Sequence, residues 1–462
     1  PIQMLVIGQR LSSGTVEEAV LYQATSPEEV GTKSGFGSMA HRKAVYAFKT
    51  NKTVPIFFVT LDDAATSTAA TAVWTLSGTA TKPGEYVTYV NGQRYAIGVS
   101  LGDAAADTQD LLTAALVADT NNLAFSAADN AAGEETLTAK GKGIAAGDID
   151  VRFNANRGEV LPEGFSLSSV VITPGTVDPD IADAIAVLGA EWFNVITQPY
   201  TDNTNMNLME EHLVDVNSVM EMRDGMCYQA LRDSLANTVV YGNDTANRNS
   251  EFMVTLPAYK RFQATYEVAA SVAGLTAVSI QDDPAVPLHR VTATGITVLD
   301  TNDKWTATER NSLAQASIAT LSDEIGVQTE STVTMYQKNS AGADDTAYQY
   351  QNTLFILSAL RYRFRNRILT KYPRAKLATN ADNIGPGQQV MTIDTARDEA
   401  VAWFKVAQRD GLVEPSPAAL AQFKNELKVE IDSGNANRVN WLLPPDLINQ
   451  FIIGSATIQF RQ

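Results

Sequence analysis

The residue types that most often carry catalysis are few and scattered in this chain. Three histidines, His41, His212 and His289, lie far apart, and none has a metal-ligating neighbour one helical turn away. His212 reads as a surface residue of its helix. The single cysteine, Cys227, sits in an apolar run and reads as a packed thiol. Alone it cannot form an intramolecular disulfide, which fits a reducing compartment. The carboxylate pairs Asp62-Asp63, Asp282-Asp283 and Asp344-Asp345 fall where turns and helix starts are expected, so they read as caps. No H-E-x-x-H motif occurs. The glycine-rich piece VGTKSGFGSMAHRK does not fit a phosphate loop, because Lys33 precedes Gly35 and Gly37 instead of following the last glycine. It also misses the dinucleotide pattern, since Ala40 stands where the third glycine belongs. It reads as a turn leading into a helix at Ser38. Catalytic, cofactor-binding and metal-ligating residues are therefore all expected to be none.

The one local charge anomaly is Arg361, Arg363, Arg365 and Arg367. At about 100° per residue, Arg361 and Arg365 lie beside an apolar stripe, with Arg363 and Arg367 nearly opposite. No single face carries all four, which argues against a nucleic-acid stripe. Two Arg pairs suit acidic partners on two sides, within the fold or on neighbouring subunits. The net charge of −17 opposes direct nucleic-acid binding. No run approaches the roughly 18 apolar residues of a membrane helix, and PIQMLVIGQRL reads as a strand, not a signal peptide.

The elements that would position these residues follow an α/β rhythm. MLVIG and the buried run VPIFFVTL flank a helix that starts at Ser26-Pro27. After a low-complexity stretch at 64–72, short alternating runs at 86–90, 95–99, 135–139 and 149–153 predict strands, with an Asn91-Gly92 hairpin turn and one helix near 107–118. The rhythm then returns with WFNVI, a helix with Met209, Leu213, Val216 and Met220 on one face, MCYQA and EFMVTL. A long helix over 347–371 follows, with Tyr350, Leu354, Leu357, Phe364 and Ile368 in register, then a helix from Asp394 to Asp410-Gly411. The fold class is α/β and α+β multidomain, with two mixed α/β domains and an inserted small β-rich domain. The expected domains are 1–64 with 161–285, the insertion 65–160, and 286–462. The insertion is expected to hang on a flexible linker, project outward and be dispensable.

Residues 437–462 do not read as a solvated tail. Val439 to Leu443 is apolar, Pro444-Pro445 breaks it, and Asp446 can cap a helical turn. FIIGSATIQF then predicts a strand, with Ile452, Ala456, Ile458 and Phe460 on one face and Phe451 and Ile453 on the other. Such a strand at a free end completes its own sheet or pairs with another chain.

Across these segments the chain resembles the tail sheath proteins of contractile bacteriophages, of the Mu-like type. The resemblance is strongest over 250–462, in DDPAVPLHRVTATGITVL, TESTVTMYQKNSAGADDTAYQYQNTLFILSALRYRFRNRI, KYPRAKLA and NRVNWLLPPDLINQFIIGSATIQF, supported by GFGSMAHRKAVYAFKTN. It implies a structural subunit, not an enzyme, without cofactors. It implies hexameric rings in a helical sheath around a tail tube protein, with baseplate and tail terminator proteins as further partners. It implies no membrane insertion, a place in the virion tail after assembly in the host cytoplasm, and contraction that drives the tube through the host envelope without nucleotide hydrolysis. Terminal arms of family members add strands to the C-terminal domains of neighbours. That makes Phe451 to Phe460 an inter-subunit strand and Arg361–Arg367 a tube- or neighbour-facing helix. Members usually carry an N-terminal arm; here MLVIG starts at residue 4, so that arm is expected to be missing. A phage-tail-like bacteriocin sheath would have much the same subunit. An α/β enzyme is the remaining alternative, opposed by the poor His and Cys inventory.

Overall fold

The run MLVIGQ forms β1 (Met4–Gln9), buried at every residue, and Tyr22–Ala24 forms β2. Helix α1 (Pro27–Ser34) starts where its sequence signals it, with the Ser26 hydroxyl accepting from Glu29 N and Pro27 in the first turn. Helix α2 (Met39–Thr50) is capped the same way by Ser38, which accepts from His41 N. The apolar run after it is β3 (Ile56–Leu61). The computed structural model describes residues 2–130, 133–379, 382, 385 and 387–452.

The insertion follows as β4 (Thr71–Gly78), β5 (Gly84–Val90), β6 (Gln93–Val99), α3 (Ala105–Ala118), β7 (Phe125–Asp129), β8 (Glu134–Ala139), β9 (Val151–Phe153), β10 (Phe165–Leu167) and β11 (Val171–Thr173). Asn91 and Gly92 both take positive φ, 44° and 82°, the backbone that a two-residue hairpin between β5 and β6 requires. The chain continues with α4 (Ala182–Ala186), β12 (Val195–Thr197), α5 (Asn203–Val216), β13 (Met226–Leu231), α6 (Leu235–Gly242), α7 (Thr245–Arg248), β14 (Met253–Pro257), α8 (Thr265–Asp282), α9 (Ala307–Gln315), β15 (Thr320–Ser322) and β16 (Gln328–Ser331). The last stretch holds α10 (Gln351–Lys371), β17 (Lys376–Leu377), β18 (Val390–Met391), α11 (Ile393–Arg409), α12 (Pro417–Glu426), β19 (Lys428–Ile431) and β20 (Val439–Leu442).

By contacts the chain divides into two compact units, Pro1–Gln281 with Leu288–Gln351, and Asp282–Pro287 with Asn352–Gln462. The first is built on a six-stranded sheet ordered β14-β13-β12-β1-β3-β2, parallel except for β2. Helix α8 is buried along nearly its whole length, as its Ala-, Ser- and Val-rich surface allows. Lys43 on α2 is fully buried, and its ammonium donates to Ile7 O at 2.8 Å and Thr197 O at 3.0 Å, at neighbouring strands β1 and β12. Burial pushes it down to about 7.

The insertion is not tethered by a flexible linker, contrary to the sequence expectation. Its low-complexity entrance packs inward: Ala70 and Ala72 are fully buried, and Thr68 bridges Thr176. Alanine and threonine are small enough to line a sheet interior, so low complexity did not mean solvation. The insertion also docks on the α/β core. Val87 and Tyr89 pack with Phe262 and Leu299. Asp148 accepts from Arg232 Nε at 2.7 Å and from Thr265 N at 2.6 Å. Arg42, paired with Glu267 at 2.7 Å, donates to Asn122 O. Gly37 makes this approach possible, since a Cβ there would meet Leu123 O at 2.2 Å.

Helices α5 and α10 also differ from the sequence expectation. Helix α5 stops at Val216, so Met220 lies beyond it and is 80% exposed. Helix α10 begins at Gln351, and among the stripe residues expected to pack only Phe364 joins the second unit's core, behind Ile356 and Leu360. Trp403 and Phe404 of α11 and Phe423 of α12 complete that core, with the Phe404 and Phe423 rings stacked at 4.2 Å. Phe423→Ala is expected to cost about 3–5 kcal/mol, read as a lower urea midpoint for the transition that reports this unit.

Candidate functional site

The residues singled out for assembly lie in the second unit. Strands β19 and β20 form an antiparallel ribbon with Val429 opposite Trp441 and Ile431 opposite Val439. Among the described residues these strands pair only with each other, so the ribbon keeps two open edges. Asp432 N donates to Arg438 O, which makes 432/438 and every second pair after it a hydrogen-bonded one. The backbone groups of Val429 and Ile431 on one strand, and Val439 and Trp441 on the other, therefore face outward. Trp441 anchors the ribbon, packing its ring on Phe364 and donating to Ala396 O at 3.2 Å.

Beyond the ribbon, Pro444-Pro445 does not lead into a helical turn. Asp446 O instead accepts from Glu414 N and Ile448 N donates to Leu412 O, so the chain runs extended beside residues 412–414. Two consecutive prolines favour that extended backbone over a helix start. Leu447 and Ile448 pack against the core, whereas Phe451 is 81% exposed. Ile452 is half-buried. Ile453, Ala456, Ile458 and Phe460 lie outside the described residues.

The four arginines part company. Arg367 Nε meets Glu399 Oε2 at 2.6 Å, Lys371 joins the same carboxylate at 2.9 Å, and Arg363 reaches Asp410 at 3.1 Å. Burial alone would raise the Glu399 carboxyl, but the Lys371 and Arg367 hydrogen bonds outweigh it and hold it below its usual range. Arg361 is half-buried, and Arg365 is exposed with no ion pair among the described residues. The sequence reading had these faces reversed. It took Tyr350, Leu354, Leu357, Phe364 and Ile368 as the packed stripe, whereas Ile356 and Leu360 are the helix residues buried in this core, which turns Arg363 and Arg367 toward α11.

Among the groups weighed for chemistry, all three histidines and the cysteine are at least partly buried. His41 is buried, with Nδ1 accepting from Gly37 N, and burial pushes it down to about 4. His212 is half-buried, not a free surface residue, and its pKa is lowered by burial and then by Arg223. His289 Nδ1 lies 2.6 Å from Glu330 O. Burial pushes the Cys227 thiol up to about 12, which suppresses the reactive thiolate. Asp62 pairs with Arg10 at 2.6 Å, Asp283 accepts from Ala285 N and Asp345 from Ala347 N, so these carboxylates are ion-pair partners and turn caps. Among the described residues no His, Cys, Asp and Glu group is arranged to hold a metal ion, and no helix is long and apolar enough to cross a membrane.

Comparison with known proteins decides the family. The chain is 34% identical over 461 residues to the tail sheath protein of the Mu-like prophage FluMu of Haemophilus influenzae, covering 99% of this chain and 92% of that protein. The chain belongs to the tail sheath family of Mu-like phages. Residues 175–335 match the family model described as the phage tail sheath protein central domain. The fold of this sheath protein also matches the solved sheath tail protein of Listeria innocua, with a TM-score of 0.52 at 13% identity over 97% of this chain and 92% of that one. The sheath tail protein of Desulfitobacterium hafniense aligns with a TM-score of 0.50 at 12% identity over 97% of both chains. This is a structural family of the contractile phage tail, not an enzyme family, and the mixed α/β architecture with several sheets is the architecture of sheath proteins.

Proposed function

We propose that this sheath subunit polymerises as helically stacked hexameric rings around the tail tube, assembled in the host cytoplasm, and contracts to drive the tube through the host envelope. The observation that carries the reading is the β19–β20 ribbon. Two strands with two open edges are a poor stopping point for a sheet, and main-chain pairing with strands from neighbours would complete it. Head-to-tail strand donation is a heterologous contact, which propagates an open helical array. Phe451, Ile452, Ile453, Ala456, Ile458 and Phe460 are the strand this subunit donates. Baseplate and terminator proteins meet the two ends of such an array. The two α/β domains are its wall, and the β-rich insertion, which runs past residue 160 because β10 and β11 both pair with β4, is its outer layer.

Purified full-length protein is expected to form rings or tubes in electron micrographs. Removing residues 450–462 should preserve the cooperative melt and abolish polymerisation. A wild-type chain that stays monodisperse at every salt concentration would refute the assembly reading. Loss of the melt on truncation would instead assign the terminal strand to the subunit's own core.

A further inference from the structure

The two units differ sharply in charge. The second carries 14 Lys and Arg against 12 Asp and Glu, the first 21 against 40. Two helix faces, one on each unit, are built as complements. On α10 the packed side holds Ile356, Leu360 and Phe364. The opposite side, one hundred degrees per residue away, presents Tyr362, Arg365 and Leu369 at i, i+3 and i+7. Tyr362 is 39% and Leu369 57% exposed, and Arg365 between them has no ion pair among the described residues. On α5 the buried side holds Met206, Met209 and Leu213. Its outer side presents Glu211, Val214 and Asp215, and the loop just beyond adds Val219 and Met220, 67% and 80% exposed. Glu211 and Asp215 have no ion pair among the described residues.

We infer that the outer face of α10 docks on the outer face of α5 of a second copy of this chain. Resting on the assembly reading above, this contact is additional to strand exchange. Arg365 would lie between Glu211 and Asp215, and Tyr362 and Leu369 would cover Val214, Val219 and Met220. An aromatic residue and an arginine set among apolar neighbours are the usual anchors of a protein interface. The contact uses different patches on the two copies, so it extends an open array instead of closing a dimer. It also offsets the self-repulsion of a chain with net charge −17, because each copy brings its least acidic unit to an acidic face.

The test uses full-length protein and the concentration at which polymers appear in sedimentation and micrographs. Arg365→Glu should raise that concentration about tenfold or more, since like charges at an interface cost more than the 1.4 kcal/mol a tenfold change represents. Glu211→Arg with Asp215→Arg should do the same, and the triple variant, which carries both reversals in every copy, should recover assembly. All three positions are exposed, so the melting temperature should stay at the wild-type value. Wild-type assembly with unchanged assembly of Arg365→Glu would overturn the contact. So would failure of the triple variant to recover, or an Arg365→Glu defect seen only when a tail tube is present. Failure of the wild-type chain to polymerise would count against the assembly reading itself.

Discussion

Excising the insertion at its Thr68–Thr176 bridge is expected to destabilise the first unit severely, not to yield a trimmed but sound subunit. The cut would strip Val87 and Tyr89 from Phe262 and Leu299, each of which is 6% exposed in the intact chain. It would also take Asp148 from Arg232 and from the N-terminal turn of α8, where Thr265 N donates to it. Removing one partner of such a half-buried, hydrogen-bonded pair typically costs about 1–3 kcal/mol, and the exposed apolar surface adds to that. A single substitution isolates the Asp148 contacts, with Arg232 and with Thr265 N together. Asp148→Ala should lower the stability of the intact chain by about 1–3 kcal/mol, with the Arg232 hydrogen bonds reduced to those with Arg261 O and Gln263 O. Urea unfolding checks both. An excised chain melting within a few degrees of wild type would show the docking surface to be dispensable.

The second large effect concerns Lys43 and pH. In the unfolded chain its amine titrates near 10.5, whereas burial brings it to about 7 in the fold. Between these values the unfolded state binds the extra proton, so stability must rise with pH across that window. Below about 7 both states are protonated and the full cost of the buried ammonium is present. Across the window the wild-type chain should gain about 4 kcal/mol relative to Lys43→Met. The absolute stability of Lys43→Met also reflects loss of the bonds to Ile7 O and Thr197 O, so the slope is the decisive quantity. Unfolding free energies of both chains at several pH values from 7 to 10 measure it. Parallel curves would mean that Lys43 keeps an ordinary pKa in the fold.

Much of the local structure could be read from the residues. The capping serines at 26 and 38, the Asn91-Gly92 turn and the apolar runs of β1, β3 and β13 sit where their patterns place them. Helix α8 escaped notice because its small residues are apolar all round, leaving no stripe for a period of 3.6 to reveal. The packed side of α10 was misjudged for a related reason. It has apolar residues on several faces, and only Trp403 and Trp441, whose rings meet it edge-to-face, select Phe364.

By itself the sequence determined the alternation of elements, their caps and turns, and a motif order that matched the sheath family. These follow from short-range sterics, hydrogen-bond supply and periodicity, which a linear pattern records. The tertiary structure decided which partners the charges meet. Arg42 finds Glu267 across 225 residues, and Arg232 finds Asp148 across 84. It also decided that the insertion is docked, that Arg363 and Arg367 pair with Asp410 and Glu399 while Arg365 faces out, and that Lys43 is buried on two strand carbonyls. Those choices depend on how distant segments pack, and no local pattern encodes the identity of a partner brought in from another part of the chain.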